Sequence, residues 1–284
     1  MTPRVTTATL TALKARGTPA VFLTAYDFPT AVFADRAGVD MLLVGDSAAM
    51  TMLGLPATTG ITLAEMLTFA RAVRRGARRA FVVGDLPFLS YQPSDETAIR
   101  SAGAFVAEAD CDAVKCEGGA AVVPRVRAMV GAGVAVMGHI GLTPQRLGQL
   151  GGYRVQGKSL RAAQTLADDA RQLEEAGAFA VLIEAVPPET AAYVRERLTI
   201  PLYGIGAGPR VDGQLVIVHD LLGAFVGDIR PRFVRRYAEL GITIEAAFAA
   251  YAADVRAGRF PGPEHCYPLP ADAEPELTRT EALR

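Results

Sequence analysis

Eight apolar runs of strand length, spaced by segments of helical period, constrain this chain more than any other feature. The runs are VFLTA (21–25), MLLVG (41–45), AFVVG (80–84), DAVKCE (112–117), VAVMGH (134–139), AVLIEAV (180–186), PLYGIGAG (201–208) and QLVIVH (214–219). Between most of them lie amphipathic stretches such as TLAEMLTFARAVRRGA and SLRAAQTLADDARQLEEAG, with apolar residues every three or four positions and a glycine closing several. Strands that are apolar nearly throughout and alternate with helices predict a parallel sheet covered on its faces. Eight such units predict a closed (β/α)8 barrel of the TIM type, with an open doubly wound sheet as the rival. The last unit is the weak one. Only PRVDG separates the seventh and eighth runs, so either that crossover is degenerate or QLVIVHDLL is itself helical.

The length, 284 residues with 50% hydrophobic composition, suits one large core, so residues 1–260 are expected to form a single α/β catalytic domain. It would begin with a helix capped by Thr6 or Thr7 and end with two helices, FVRRYAELG and TIEAAFAAYAADVRAGRF. From Pro261 to Arg284 the chain turns to proline and acidic residues and reads as a loosely held tail. A formal net charge of -1 lacks the basic excess of a nucleic-acid or anionic-membrane binder and favours small-molecule substrates. Cys111, Cys116 and Cys266 are odd in number and without CxxC spacing, which suits a reduced, cytoplasmic protein. No apolar run approaches the ~20 residues of a membrane-spanning helix.

In parallel α/β folds chemistry gathers at the carboxyl ends of the strands. Five of the predicted ends carry titratable groups: Asp46, Asp85, Glu117, His139 and Glu184. A single aspartate after a strand is ordinarily a helix cap. Asp46, Asp85 and Glu117, however, end consecutive strands and would be neighbours around a barrel rim, where three carboxylates repel unless a cation holds them. Oxygen ligands of this kind suit a hard divalent ion such as Mg²⁺, with Mn²⁺ and Zn²⁺ left open.

Lys115 lies two residues before Glu117, so the strand period directs both side chains to one side. Only three of the 29 basic residues are lysines, and one inside a strand is suited to hold a carboxylate or a developing enolate as a point charge. Neutralising excess acid is its structural alternative. His139, flanked by glycines, is either a structural hydrogen bonder or a site residue. Glu184 in VLIEAV would be a desolvated carboxylate across the rim, a candidate general base or else an ion-pair partner. GIGAG (204–208) lacks the full dinucleotide-binding pattern and reads as a tight loop at the barrel mouth.

In order along the chain, LTAYD (23–27), VGDSAAM (44–50), DLPF (85–88), VKCEGG (114–119), GHIGLTPQ (138–145), GGYRVQG (151–157), GIGAG and HDLLG (219–223) resemble the ketopantoate hydroxymethyltransferase family over roughly residues 6 to 256. The resemblance implies a (β/α)8 barrel binding one Mg²⁺ per subunit. It also implies transfer of a one-carbon unit from 5,10-methylenetetrahydrofolate to 3-methyl-2-oxobutanoate, forming 2-dehydropantoate for pantothenate biosynthesis. By motif it places Asp46, Asp85 and Glu117 around the metal and Asp46, Ser47, Asp85 and Lys115 on the substrate. Glu184 becomes the proton acceptor, with Lys115 and His139 also in the catalytic site, and the assembly is implied to be a homodecamer. Alanines follow Ser47 where the family commonly has Leu-Gly, and Pro209 stands where asparagine is frequent. The alternative is a Mg²⁺-dependent C–C lyase or phosphoenolpyruvate mutase-like enzyme acting on an α-keto acid.

Overall fold

A computed structural model describes residues 3–227 and 231–270. The chain divides into two compact units, Met1–Tyr237 and Ala238–Arg284. In the first, eight parallel strands close into a barrel in sequence order: β1 (Ala20–Thr24), β2 (Met41–Val44), β3 (Phe81–Asp85), β4 (Ala113–Glu117), β5 (Val136–Gly141), β6 (Ala180–Glu184), β7 (Leu202–Ile205) and β8 (Gly213–Val216). β8 returns to pair with β1, Phe22 opposite Leu215, so no strand edge is left open.

Alternation along the strands divides the apolar residues into two sets. One set, including Phe22, Met41, Leu43, Phe81, Val83, Met137, Leu182 and Tyr203, fills the barrel interior. The other, including Leu42, Val44, Val82, Val114, Val136, Val181 and Leu202, meets the surrounding helices. The helices Leu63–Gly76 and Asp95–Ala109 bury Met66, Leu67, Ala70, Ala98, Ala102 and Phe105 against that outer set. Gly84 is needed where the second of these helices approaches: a Cβ there would stand 2.3 Å from the Phe105 ring.

The N-terminal helix Thr7–Ala15 is capped by Thr6, whose hydroxyl accepts from the Thr9 amide. It belongs to the barrel floor. Val5 and Leu10 pack with the interior set, and Lys14 donates to the Ile200 carbonyl at 2.9 Å and to Asp212 at 3.0 Å.

The last crossover resolves both halves of the sequence ambiguity. No helix lies between β7 and β8; Gly206 and Gly208, at φ +63° and +78°, reverse the chain in a short loop. Asp212 staples it, accepting from the Leu202 amide at 2.9 Å and from Arg195 at 2.7 Å. β8 ends at Val216, and Val218–Leu221 is a helical turn, so QLVIVHDLL is strand first and helix after. FVRRYAELG does not form a helix of its own: Phe233–Glu239 are non-helical, and Leu240 and Gly241 open the next helix. The Tyr237 amide bonds out to the Leu221 carbonyl rather than to its own preceding turn, and tertiary pairing overrides the local period.

In the second unit the helix Leu240–Arg256 has no buried residue. Beyond it, among the described residues, a short 3₁₀ turn, Pro263–His265, follows; most of the predicted tail, 271–284, lies outside the described residues. Among those residues no helix is long and apolar enough to cross a membrane.

Gly84→Ala is expected to cost about 1–3 kcal/mol in urea unfolding by overpacking the helix against the barrel. Part of that loss should return in the Gly84→Ala/Phe105→Leu double variant.

Candidate active site

The alternation that fills the barrel with apolar side chains continues into its charged end. Val83 is followed two residues on by Asp85, Ala113 by Lys115 and then Glu117, Met137 by His139, and Leu182 by Glu184. Each charged group is therefore the next inward position of its strand, carried past the last apolar layer. Asp46 and Ser47 come from the turn after β2, just before the short helix Ala48–Thr51. All seven line one cavity of about 450 Å³.

Lys115 is its centre. The ammonium lies 2.8 Å from Asp85 Oδ1, 3.6 Å from Glu117 Oε1 and 3.3 Å from His139 Nδ1, and the residue is 2% exposed. Asp85 Oδ2 accepts from the Asp46 amide at 3.0 Å, tying β3 to the β2 turn. His139 bridges to the far rim: Nε2 sits 3.2 Å from Glu184 Oε2. Nδ1 stands between the Lys115 ammonium at 3.3 Å, which can only donate, and Glu117 Oε1 at 3.4 Å, whereas Nε2 faces a carboxylate; a proton on Nε2 suits both the ammonium and Glu184. Ser47 Oγ is 2.8 Å from the Tyr26 hydroxyl.

Three buried carboxylates face one ammonium, so negative charge is in excess. Burial raises the Asp46 carboxyl above its ordinary range, with Glu117 adding to the rise. Burial likewise drives Asp85 well up, against the pull of Lys115, and raises Glu117. Burial and then Lys115 push His139 down, which keeps the imidazole neutral. For Lys115, burial opposes the charge, but Asp85, Glu117 and Asp46 outweigh it and the ammonium is held more firmly than usual. Burial pushes the Tyr26 hydroxyl up to about 12.

This donor set fits a hard divalent cation. Asp85 Oδ1 is a buried oxygen without a well-directed hydrogen bond, and the surplus carboxylate charge asks for one more positive group. Among the described residues no three acidic, imidazole or thiol groups converge closely enough to enclose an ion by themselves. A cation here would accordingly complete its shell with water or substrate oxygens, as Mg²⁺ commonly does.

Two functional candidates escaped the sequence reading. Gln145, in the turn after β5, donates from Nε2 to Asp46 Oδ2 at 2.9 Å, and its backbone amide donates to Glu117 Oε2 at 3.0 Å. Tyr91, in the loop after β3, lies 2.8 Å from Gln145 Oε1 and accepts from the Glu117 amide. Both are neutral, and a search for charges at strand ends passes over them. Gln145 closes the GHIGLTPQ motif, the one sequence signal that could have drawn attention to it.

The cavity is also lined by Met50, Tyr153, Phe225 and Phe233, and the exposure of Tyr153 and Phe233 marks this as its outer end. A deep charged floor under an apolar mouth, at the strand carboxyl ends of a closed barrel, defines a small-molecule enzyme of the (β/α)8 class. Solved barrels share the fold. A phosphonopyruvate hydrolase in complex with oxalate and Mg²⁺ aligns with TM-score 0.61 at 16% identity, covering 99% of this chain and 97% of that one. A phosphoenolpyruvate phosphomutase from Streptomyces platensis subsp. rosaceus aligns with TM-score 0.60 at 18% identity, covering 98% of each.

Sequence comparison is more specific: residues 4–263 match the ketopantoate hydroxymethyltransferase family, and the chain belongs to it. The 3-methyl-2-oxobutanoate hydroxymethyltransferase of Syntrophobacter fumaroxidans is 52% identical over 243 residues, 86% of each chain. That of Moorella thermoacetica is 50% identical over 264 residues, 93% of this chain and 98% of its own.

Raised carboxyl pKa values make a signed prediction. Such groups bind protons more readily folded than unfolded, so they weaken the metal-free fold above their folded-state pKa. The penalty fades as pH falls through that value toward the unfolded one. Metal-free Glu117→Gln, an isostere able to donate to His139 Nδ1, should therefore melt above wild type at pH 8. The gap should close as the pH approaches 4.5, the ordinary value for glutamate; scanning calorimetry across that range checks both.

Proposed function

We propose that this chain transfers a hydroxymethyl group from 5,10-methylenetetrahydrofolate to 3-methyl-2-oxobutanoate, forming 2-dehydropantoate for pantothenate biosynthesis. The carrying observation is the match of nearly the whole chain to relatives bearing that enzyme name, at about half identity. The buried acid–lysine cluster supports it, since it supplies what a carbon-acid reaction of an α-keto acid needs.

One Mg²⁺ per subunit would be held by Asp46, Asp85 and Glu117 and, when bound, would supply a Lewis acid for the keto-acid oxygens. Lys115, fixed against Asp85, contributes a charge that does not leave at working pH and offsets the negative charge growing on the ketone oxygen as the enolate forms. Glu184 is the proton acceptor. Its Oε2 lies 3.2 Å from His139 Nε2 without a well-directed hydrogen bond, and the carboxylate takes the proton from the carbon beside the ketone. As the enolate carbon bonds to the methylene carbon, one of that carbon's two bonds to folate nitrogens breaks and that nitrogen takes up the proton from Glu184. Water then replaces the second nitrogen and leaves it a proton, so one water is consumed and tetrahydrofolate is released. Ser47, held by Tyr26, would orient the substrate together with Asp46 and Asp85. The apolar mouth excludes bulk water while the enolate exists. The reading extends to a cytoplasmic homodecamer built of such barrels.

Turnover of 3-methyl-2-oxobutanoate should require both methylenetetrahydrofolate and a divalent cation. Product formed without the folate would instead favour cleavage or mutase chemistry on an α-keto acid. No turnover by pure, metal-loaded protein would sink the proposal. Glu184→Gln should lower kcat by about 10²–10⁴-fold while leaving keto-acid binding, followed by calorimetry, within a few-fold of wild type.

A further inference from the structure

Gln145 has a partner at each polar atom of its amide, and the Tyr91 hydroxyl that faces Oε1 has the Glu117 carbonyl at 2.9 Å as a second acceptor. Nε2 donates to Asp46 Oδ2 and to the Leu86 carbonyl, both at 2.9 Å. Oε1 takes Gln92 Nε2 at 3.0 Å and has the Tyr91 hydroxyl at 2.8 Å. The orientation is not interchangeable, because a flipped amide would set its oxygen against a carboxylate and a carbonyl, neither of which can donate. At 5% exposure no water competes for these partners.

The consequence falls on the acidic cluster. Asp46 Oδ2 is occupied by the Gln145 side chain, Glu117 Oε2 by the Gln145 backbone amide, and Asp85 Oδ2 by the Asp46 amide. Each carboxylate is thus tied down by one oxygen; of the remaining three, Asp85 Oδ1 already faces the Lys115 ammonium at 2.8 Å and Glu117 Oε1 stands 3.6 Å from it, while Asp46 Oδ1 is left to the cavity. Two of the three ties come from the same residue.

We propose that Gln145 is a positioning residue that makes Asp46 and Glu117 single-oxygen ligands, and that it thereby tunes the site for cations of Mg²⁺ size against Ca²⁺. This rests on the cation reading of the acidic cluster given above. Ca²⁺ gathers about six to eight oxygens and commonly takes both oxygens of a carboxylate, whereas Mg²⁺ is served by single oxygens and water in an octahedron. A carboxylate with one oxygen already claimed is a poor ligand for the first and an adequate one for the second. Tyr91 acts in the same direction from behind, since its hydroxyl fixes the far end of the amide and the Glu117 backbone.

The test reads binding rather than turnover. Affinities for Mg²⁺ and Ca²⁺ are measured by calorimetry on the full chain, as wild type, Gln145→Leu and Tyr91→Phe. In Gln145→Leu, Mg²⁺ affinity should fall about tenfold or more and Ca²⁺ affinity less, so that the Mg²⁺/Ca²⁺ preference drops. Tyr91→Phe should shift the preference the same way to a smaller extent. Loosening of the site without this role would weaken both ions alike, and an unchanged preference in the two variants would overturn the proposal. If Gln145→Leu does not fold, Tyr91→Phe alone decides by the same criterion. Wild type that binds neither ion would overturn the cation reading itself, and this inference with it.

Discussion

The Lys115–Asp85 contact, 2.8 Å between side chains almost wholly out of water, is the interaction on which the charged end of the barrel turns. An ammonium buried alone would discharge, and the carboxylates buried alone would take up protons. Together they favour one another's charge, fully for the ammonium and only in part for the carboxylates, since one positive group serves three negative ones. That inequality gives the site an appetite for positive charge, and it is a cost to the fold that a catalytic centre can carry because the rest of the barrel is closed, dry and tightly packed.

Closure is what concentrates this charge. In a barrel whose strands run parallel and in sequence order, the inward positions of neighbouring strands are brought level, so residues far apart in the chain share one floor. Leu182 and Glu184 differ by two residues; the first packs among apolar side chains and the second reaches the cavity. A one-residue shift of any strand would turn its polar group into the helical layer, where no partner waits.

Much of this was legible in the chain. Eight apolar runs dictated eight strands, and acids directly after such runs marked the strand ends, because solvation forbids them any deeper place without partners. The period of two already put Lys115 and Glu117 on one side. Less legible was whatever depends on meeting across the fold. Gln145 carries no charge, and its weight comes from partners in the turn after β2, the loop after β3 and the end of β4. The β7–β8 return could be read only as an anomaly, since Asp212 and two left-handed glycines do there what a helix does elsewhere. FVRRYAELG has a helical composition, yet the Tyr237 amide finds a better carbonyl in Leu221.

The plugged floor has a consequence for traffic. Val5 and Leu10 pack into the bottom of the barrel and Lys14 fastens their helix to Asp212, so the chamber is closed at its base. A small acid seated on Lys115 lies beneath any larger molecule occupying the mouth between Tyr153 and Phe233. A guest at the mouth would then stand between the deeper one and solvent.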